Sequence, residues 1–303
     1  MTALLWQVGW PTLRLMPSFA AYRLFDAVAH AQVIRGGRGV DRLRANYARV
    51  RPELDDRELN ALVRAGMRSY MRYFCEALRL PDSSPARLDR MVRIVHEGPV
   101  RELRDAGRPV VFFLGHMGNW DAAGAWSTSH LAPVTAVAER LKPEAVFQEF
   151  VAYRESLGMT ILPLTGGPDP FTALKEAVAR GDFVTLLADR DLTAGGVEVD
   201  FCGHRARMAK GPAALALQTD TALFTVTIHY APASSGRGMG GREVVVEFSP
   251  RIPVPEHGDD TEKVVQMTQA CATYLGEAIV RHTEDWHMMQ RVFVDDLDPA
   301  RGR

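Results

Sequence analysis

A histidine and an aspartate flank a short loop after an apolar stretch of the chain. Residues 110–121 read Val-Val-Phe-Phe-Leu-Gly-His-Met-Gly-Asn-Trp-Asp, and the β-branched and aromatic start predicts a buried strand. His116 then lies at the carboxyl end of that strand, where open α/β sheets bind their ligands. Five residues on one helix would turn the two side chains well over a right angle apart. His116 and Asp121 therefore converge only if the histidine lies in the loop and the aspartate in the first turn of the next helix. A histidine oriented by a carboxylate is a general base near neutral pH.

A second acidic group follows another apolar stretch. Residues 183–188 end in Asp189, Arg190 and Asp191. If residues 110–114 and 183–188 are parallel strands, both carboxyl ends face one cleft, and Asp189 comes near His116. A solvated turn or an internal salt bridge fits the same residues. The pattern leaves open which carboxylate pairs with His116.

A basic cluster precedes a predicted helix. His204, Arg205, Arg207 and Lys210 come just before Gly211 and a proline, which suits the first helical position. Cations beside a helix amino terminus favour a phosphate or pyrophosphate, and an ordinary exposed basic loop fits equally well.

The elements around these residues alternate between strand and helix patterns. This alternation predicts an α/β sheet covered by helices on both faces. The predicted strands are 110–114, 134–138, 160–164, 183–188, 222–230 and 243–249, and the predicted helices between them are 121–129, 143–157, 170–180, 210–219 and 262–281. Residues 2–34, 41–50 and 56–80 have mostly helical patterns.

The amino-terminal region is aromatic, apolar and basic. Residues 1–52 contain eight arginines and two aspartates, whereas the whole chain has a net charge of −1. Such a segment is typical of a helix lying on anionic lipid, and a hairpin packed on the core would use the same residues. The start has no secretory-signal pattern, no apolar run reaches about 20 residues, and the three cysteines are far apart. These features favour a protein of the reducing cytosol.

Several separated segments resemble one family. The run from His116 to Asp121 fits the H-x-x-x-x-D signature of the glycerolipid acyltransferase superfamily. Further segments resemble the actinobacterial phosphatidylinositol mannoside acyltransferases, in the lipid A biosynthesis lauroyl/myristoyl acyltransferase branch. These segments are 137–144, 153–158, 162–167, 187–193, 196–201 and 285–288.

The resemblance implies a fold, a place and a reaction. The fold is a single α/β domain over residues 1–303, with a mixed central sheet flanked by helices on both faces and a helical amino-terminal region. Residues 1–40 would associate with the membrane and residues 100–295 would form the catalytic core. The protein would be peripheral on the cytoplasmic face of the plasma membrane. It would move a palmitoyl chain from acyl-CoA, as co-substrate, to a mannose hydroxyl of a phosphatidylinositol mannoside, with no cofactor, metal or nucleic acid.

The resemblance also assigns site residues. His116, Asp121 and Asp189 would be catalytic, with the histidine as the base of a direct attack and backbone N–H groups near residues 115–119 steadying the oxyanion. The remaining substrate-binding expectations are Asn119 and Glu139 on the acceptor side, Arg154, Gly195 and Gln218 on the donor side, and Arg190 and Arg207. An apolar groove with Trp120, Trp126, Phe147 and Phe150 would hold the acyl chain.

Three other readings stay open. One keeps lipid acylation but uses an acyl-carrier-protein donor or a different glycolipid acceptor. The second is a metal-dependent hydrolase whose ligands are His116, Asp121, Asp189 and Asp191. The third is a non-catalytic lipid-binding protein that uses the amino-terminal segment.

Overall fold

A mixed seven-stranded sheet forms the centre of the protein. The computed structural model describes residues 16–140, 142–167, 169–193, 195–234, 238 and 240–297. The strand order is β1-β9-β8-β2-β5-β3-β4, and β8 and β9 are the antiparallel neighbours. A separate hairpin consists of β6 and β7. The strands are β1 Val92–Val95, β2 Val110–Leu114, β3 Val134–Ala138, β4 Thr160–Pro163, β5 Phe183–Leu187, β6 Val197–Phe201, β7 His204–Met208, β8 Ala222–Pro232 and β9 Arg242–Phe248.

Helices cover both faces of this sheet. Val111 and Phe113 of β2 pack into one core, whereas Phe112 and Leu114 pack into a second core on the opposite face. This confirms the predicted fold class. The described helices are α1 Ser18–Arg35, α2 Arg38–Val50, α3 Asp56–Ala77, α4 Pro85–Met91, α5 Gly98–Asp105, α6 Trp120–His130, α7 Glu144–Ser156, α8 Pro170–Ala179, α9 Gly211–Gln218 and α10 Asp260–Arg281. None of these helices is both long and apolar enough to cross a bilayer.

The central strands run side by side in the same direction. β2 is completely buried and pairs in parallel with β5 and β8, with Leu114 opposite Leu187 and Val226. The carboxyl ends of these strands therefore meet at one edge of the sheet. The loop that follows β2 and the loop that follows β5 both begin there.

The six predicted strands and the five predicted helices between them are present, with ends within two residues. The short strand β1 and the β6–β7 hairpin were not predicted. The basic cluster at 204–207 is strand β7 rather than a loop. The hairpin turns at Cys202 (φ 51°) and Gly203 (φ 79°), and a cysteine in this left-handed region is uncommon.

Candidate active site

His116 lies immediately beyond β2 and is bound by Asp189 from the loop after β5. The imidazole Nδ1 is 2.5 Å from Asp189 Oδ1, and the backbone N–H of His116 donates to Oδ2 over 2.9 Å. The carboxylate is completely buried, whereas a quarter of the histidine side chain is exposed. With Nδ1 held, the Nε2 nitrogen is left to exchange a proton with a substrate.

Asp189 stays ionised despite its burial. Burial opposes the charged carboxylate, but the neighbouring His116 and hydrogen bonds from His116 and Trp286 lower its pKa below the usual range. The indole Nε1–H of Trp286 donates to Oδ2 over 2.9 Å. The sequence pattern gave no role to this tryptophan. It fixes the carboxylate that orients the imidazole.

Asp121 does not pair with His116. It lies in the first turn of α6, as predicted, but its carboxylate accepts from the Tyr73 hydroxyl and from Arg154 Nε, each at 2.8 Å. Its side chain is 2% exposed and that of Arg154 is 19% exposed, so the pair is largely shielded from water. Arg154, which the resemblance assigns to the donor side, is thus the partner of a buried aspartate and also lines the cavity that contains Trp120.

Asn119 is structural in this arrangement. Its side chain is fully buried, caps α6 by accepting from the Ala122 N–H, and donates to Glu76 Oε2 over 2.9 Å. It was expected on the acceptor side, but its side chain has no exposed surface to contact an acceptor. Glu76 is itself buried and also accepts from the Tyr230 hydroxyl and from Arg72, so it ties α3 to β8 and to the loop before α6.

Three other predicted residues lie near the carboxyl edge. Arg190 follows β5 and contacts Glu139, which follows β3, at 3.2 Å. Arg207 lies on β7, where it pairs with Glu198 and its backbone C=O accepts from the Asp191 N–H. Each of the two arginines therefore has an acidic neighbour.

Gly195 and Gln218 are separated from this cluster. Gly195 is exposed in the loop that leads from β5 to β6, where its N–H donates to Thr193. Gln218 is the exposed last residue of α9, which begins near the carboxyl end of β5 and returns the chain to the start of β8. Gln218 is therefore at the opposite edge of the sheet from His116, because α9 runs the depth of the sheet between the two edges.

An apolar cavity lies near the loop that carries the histidine. It has a volume of about 70 Å³ and lies between α6 and the sheet. Trp120 lines the cavity, and its ring centroid is 6.1 Å from that of His116. The lining lacks the other three aromatics of the predicted groove, and strand residues replace them. The main apolar contributors are Phe112, Leu114, Val134, Val137, Met159, Leu187, Val226, Ile228 and Phe248.

Residues on α3 and after α10 complete the surroundings of the histidine. Ser69 Oγ donates to Asp285 Oδ1 over 2.5 Å and lies 2.9 Å from His287 Nε2. The backbone N–H of His287 donates to the His116 carbonyl. Ser69, Tyr73 and Glu76 share one face of α3, and polar groups at this helical spacing on a mostly apolar face were the signal available in the sequence.

Three N–H groups of the loop after β2 are hydrogen-bonded within the protein. The N–H of His116 donates to Asp189, that of Met117 to the Gly115 carbonyl, and that of Gly118 to the Asp285 carbonyl. These three hydrogen bonds hold the loop in its shape.

The chain is similar to known acyltransferases over its whole length. The sequence model of the bacterial lipid A biosynthesis acyltransferases matches residues 1–294. A phosphatidylinositol mannoside acyltransferase of Mycolicibacterium smegmatis is 40% identical, with 99% of this chain and 94% of the relative covered. One of Mycobacterium tuberculosis, strain H37Rv, is 39% identical, covering 97% and 89%. The chain belongs to the bacterial lipid A biosynthesis acyltransferase family. Membership in this family supports an acyltransferase.

Proposed function

We propose that the protein transfers a long acyl chain, typically palmitoyl, from acyl-CoA to a mannose hydroxyl of a phosphatidylinositol mannoside. The observation that carries this proposal is the His116–Asp189 pair, which lies at the carboxyl edge of the sheet beside an apolar cavity. The names of the similar proteins support the acceptor.

The mechanism is a direct attack by the sugar hydroxyl. His116 Nε2 removes the hydroxyl proton as the oxygen attacks the thioester carbonyl, and Asp189 stabilises the imidazolium that forms. Collapse of the tetrahedral intermediate breaks the carbon–sulfur bond, and the proton leaves with the thiol. Among the described residues no serine or cysteine hydrogen-bonds to His116, which favours this route over an acyl-enzyme.

The cavity beside Trp120 receives the acyl chain. Its volume of about 70 Å³ would hold roughly five waters. A palmitoyl chain needs more room than this, so the residues that line the cavity must move apart to admit it. The flexible Met159 side chain is suited to such movement. Arg190 and Arg207 bind the phosphates of the donor, which replace Glu139 and Glu198 as their partners.

We propose that helix α1 lies on an anionic membrane surface on the cytoplasmic side. Its exposed side includes Phe19 (71% exposed), Leu24, Val28 and Ile34 (73%). Arg23 and Arg35 are exposed on the same helix, and Arg38 is exposed at the start of α2. Apolar side chains and cations together at a helix surface are typical of contact with anionic lipid. The rest of the proposed amino-terminal anchor, residues 1–15, lies outside the described residues.

The test uses the purified protein with palmitoyl-CoA and phosphatidylinositol dimannoside, with the product read by mass spectrometry. The wild type is expected to add one palmitoyl group. His116→Ala removes the base and Asp189→Asn its carboxylate, and each is expected to lower kcat by at least about a hundredfold. Transfer by His116→Ala at the wild-type rate would refute the mechanism. Palmitoyl on a carrier protein, offered in parallel, identifies the alternative donor.

The arrangement favours this proposal over the metal alternative. Asp121 is occupied by Arg154 and Tyr73, and the Asp191 carboxylate accepts from the Thr193 N–H. Within the described part of the chain, no group of three or more histidine, cysteine or acidic side chains is arranged to hold an ion.

A further inference from the structure

A second histidine beside the active site has an unused ring nitrogen. His287 is 6% exposed, and its Nδ1 has no hydrogen-bond partner among the described residues. Its backbone N–H donates to the His116 carbonyl, which fixes the two residues next to each other. A buried polar atom without a partner is costly, and in a native protein it points to a missing water or ligand.

Ser69 and Asp285 determine which proton this ring carries. The single hydroxyl hydrogen of Ser69 goes to Asp285, whose other oxygen accepts from the Tyr230 N–H over 2.7 Å. Burial raises the pKa of Asp285 to about 7. When this carboxylate is ionised it accepts from Ser69, so the Ser69 oxygen accepts in turn from the His287 Nε2–H. Burial and the nearby His116 lower the pKa of His287 to about 3. The ring is therefore neutral, with a lone pair on Nδ1.

A donor without a partner lies against the same ring. Trp120 Nε1 is buried and makes no hydrogen bond to a described residue. The Trp120 ring centroid is 6.1 Å from that of His287 and 6.1 Å from that of His116. An alcohol both donates and accepts one hydrogen bond, so it is the group that matches one open acceptor and one open donor.

We propose that His287 and Trp120 form a hydroxyl-binding subsite for the sugar acceptor, next to the base His116. The acceptor alcohol donates to His287 Nδ1 and accepts from Trp120 Nε1, and a small shift of the Trp120 ring admits it. Ser69 and Asp285 are positioning residues that keep Nδ1 in its acceptor form. This inference rests on the proposed function, because the ligand class is the sugar alcohol of that reaction.

The test separates the two nitrogens of His287. In His287→Gln the amide takes the place of Nε2 and keeps the contact with Ser69, whereas the group at Nδ1 is lost. In His287→Asn the amide lies near Nδ1. Steady-state kinetics with palmitoyl-CoA and phosphatidylinositol dimannoside give the KM of each substrate, and acceptor-free hydrolysis of palmitoyl-CoA reports the thioester site. His229→Gln is the control, since His229 is similarly buried and also has an open Nδ1, but lies on β8 against His282.

We expect His287→Gln and Trp120→Phe each to raise the acceptor KM about tenfold, the value of one hydrogen bond. In His287→Gln the donor KM and acceptor-free hydrolysis remain at wild-type values, and His287→Asn restores part of the acceptor affinity. Ser69→Ala shifts the acceptor KM in the same direction. An unchanged acceptor KM in both His287→Gln and Trp120→Phe overturns the subsite. If the wild type itself acylates no mannoside, the proposed function fails, which is a different result from transfer that ignores these two variants.

Discussion

Two buried aspartates near His116 have different partners. We therefore expect one of them to act in the reaction and the other to stabilise the structure. Asp189 holds an imidazole that can gain and lose a proton, whereas Asp121 holds Arg154. Burial disfavours the charged guanidinium, but the Asp121 carboxylate and its hydrogen bond outweigh this and raise the pKa of Arg154. Asp121 therefore anchors α7 to α6.

Removal of Asp121 leaves a buried cation without a partner. We expect Asp121→Ala to lower the free energy of unfolding by about 3 kcal/mol, measured by urea titration, because breaking a buried pair from one side is costly. The double variant Asp121→Ala, Arg154→Met recovers part of this loss, since neither charge remains. Wild-type stability of the single variant would contradict the structural assignment.

The stacked histidines on the other side of the sheet make stability depend on pH. His229 lies 3.7 Å from His282 between ring centroids, and burial with the nearby positive charges of His282, Arg93 and Arg281 lowers the pKa of His229 to about 3. The folded protein holds this ring neutral, whereas the unfolded chain protonates it below about pH 6.5. The stability due to neutral His229 is therefore complete above pH 6.5 and is lost as the pH falls towards 3.

The His229→Gln variant isolates this contribution. The difference in unfolding free energy between wild type and variant is expected to change by about 1.4 kcal/mol per pH unit between pH 6.5 and 4. Chemical denaturation at several pH values measures it. His257→Gln serves as the control because His257 is exposed. A pH-independent difference for His229→Gln would show that the ring is protonated in the folded protein.

At the scale of the elements, the sequence predicts what local patterns encode. The alternation of apolar runs and helical periods predicts the strands of the core to within two residues, because each run is either buried on both faces or amphipathic. The β6–β7 hairpin was missed because Cys202 takes the place of a usual turn residue, and because its exposed side is charged. The contact between Asp189 and His116 follows from the parallel pairing of β2 with β5.

The partners supplied by α3 and by the segment after α10 have no such local signal. Tyr73 binds Asp121, Glu76 binds Asn119, and Trp286 binds Asp189, across separations of 43 to 97 residues. Only the tertiary arrangement brings these groups together. For this reason the residue types suggested a histidine–carboxylate pair but left the choice of carboxylate open.

The loop between β2 and α6 depends on Gly118. This residue has φ 60°, and an added Cβ would lie 2.4 Å from the backbone oxygen of Ile228 in β8. We expect Gly118→Ala to cost about 3 kcal/mol, from the left-handed conformation and the clash together, and to reduce kcat because the loop carries His116. Gly107→Ala is the matched control, since Gly107 has φ 66° but open space, and about 1 kcal/mol is expected there. Equal losses of unfolding free energy in the two variants, measured by thermal and urea unfolding, would show that the loop shifts to accommodate the extra methyl group.

At the scale of the whole molecule, helix α1 packs on the protein with one side and exposes apolar side chains on the other. Ala21 and Ala29 are buried, and Phe25 and Val33 pack on the core, so the helix is held in place by one face. Leu24, Ala27, Val28, Ala31 and Ile34 are all exposed. Burial of such side chains in the acyl boundary of a membrane would contribute about 25 cal/mol per Å².

This side of α1 can be tested by changing it without changing its packing. In the triple variant Leu24→Gln, Val28→Gln, Ile34→Gln, we expect binding to anionic vesicles in a sedimentation assay to fall at least about tenfold. The unfolding free energy is expected to stay unchanged because these side chains are exposed. Val254→Gln, Val265→Gln is the control, since both valines are comparably exposed elsewhere. Replacing Arg23 and Arg35 by Gln weakens binding to anionic vesicles but not to neutral ones, because cations near an anionic surface contribute about 1 kcal/mol each. Equal vesicle binding by the α1 triple variant and the valine control would place the contact elsewhere, and the proposed membrane orientation of the catalytic edge would then be wrong.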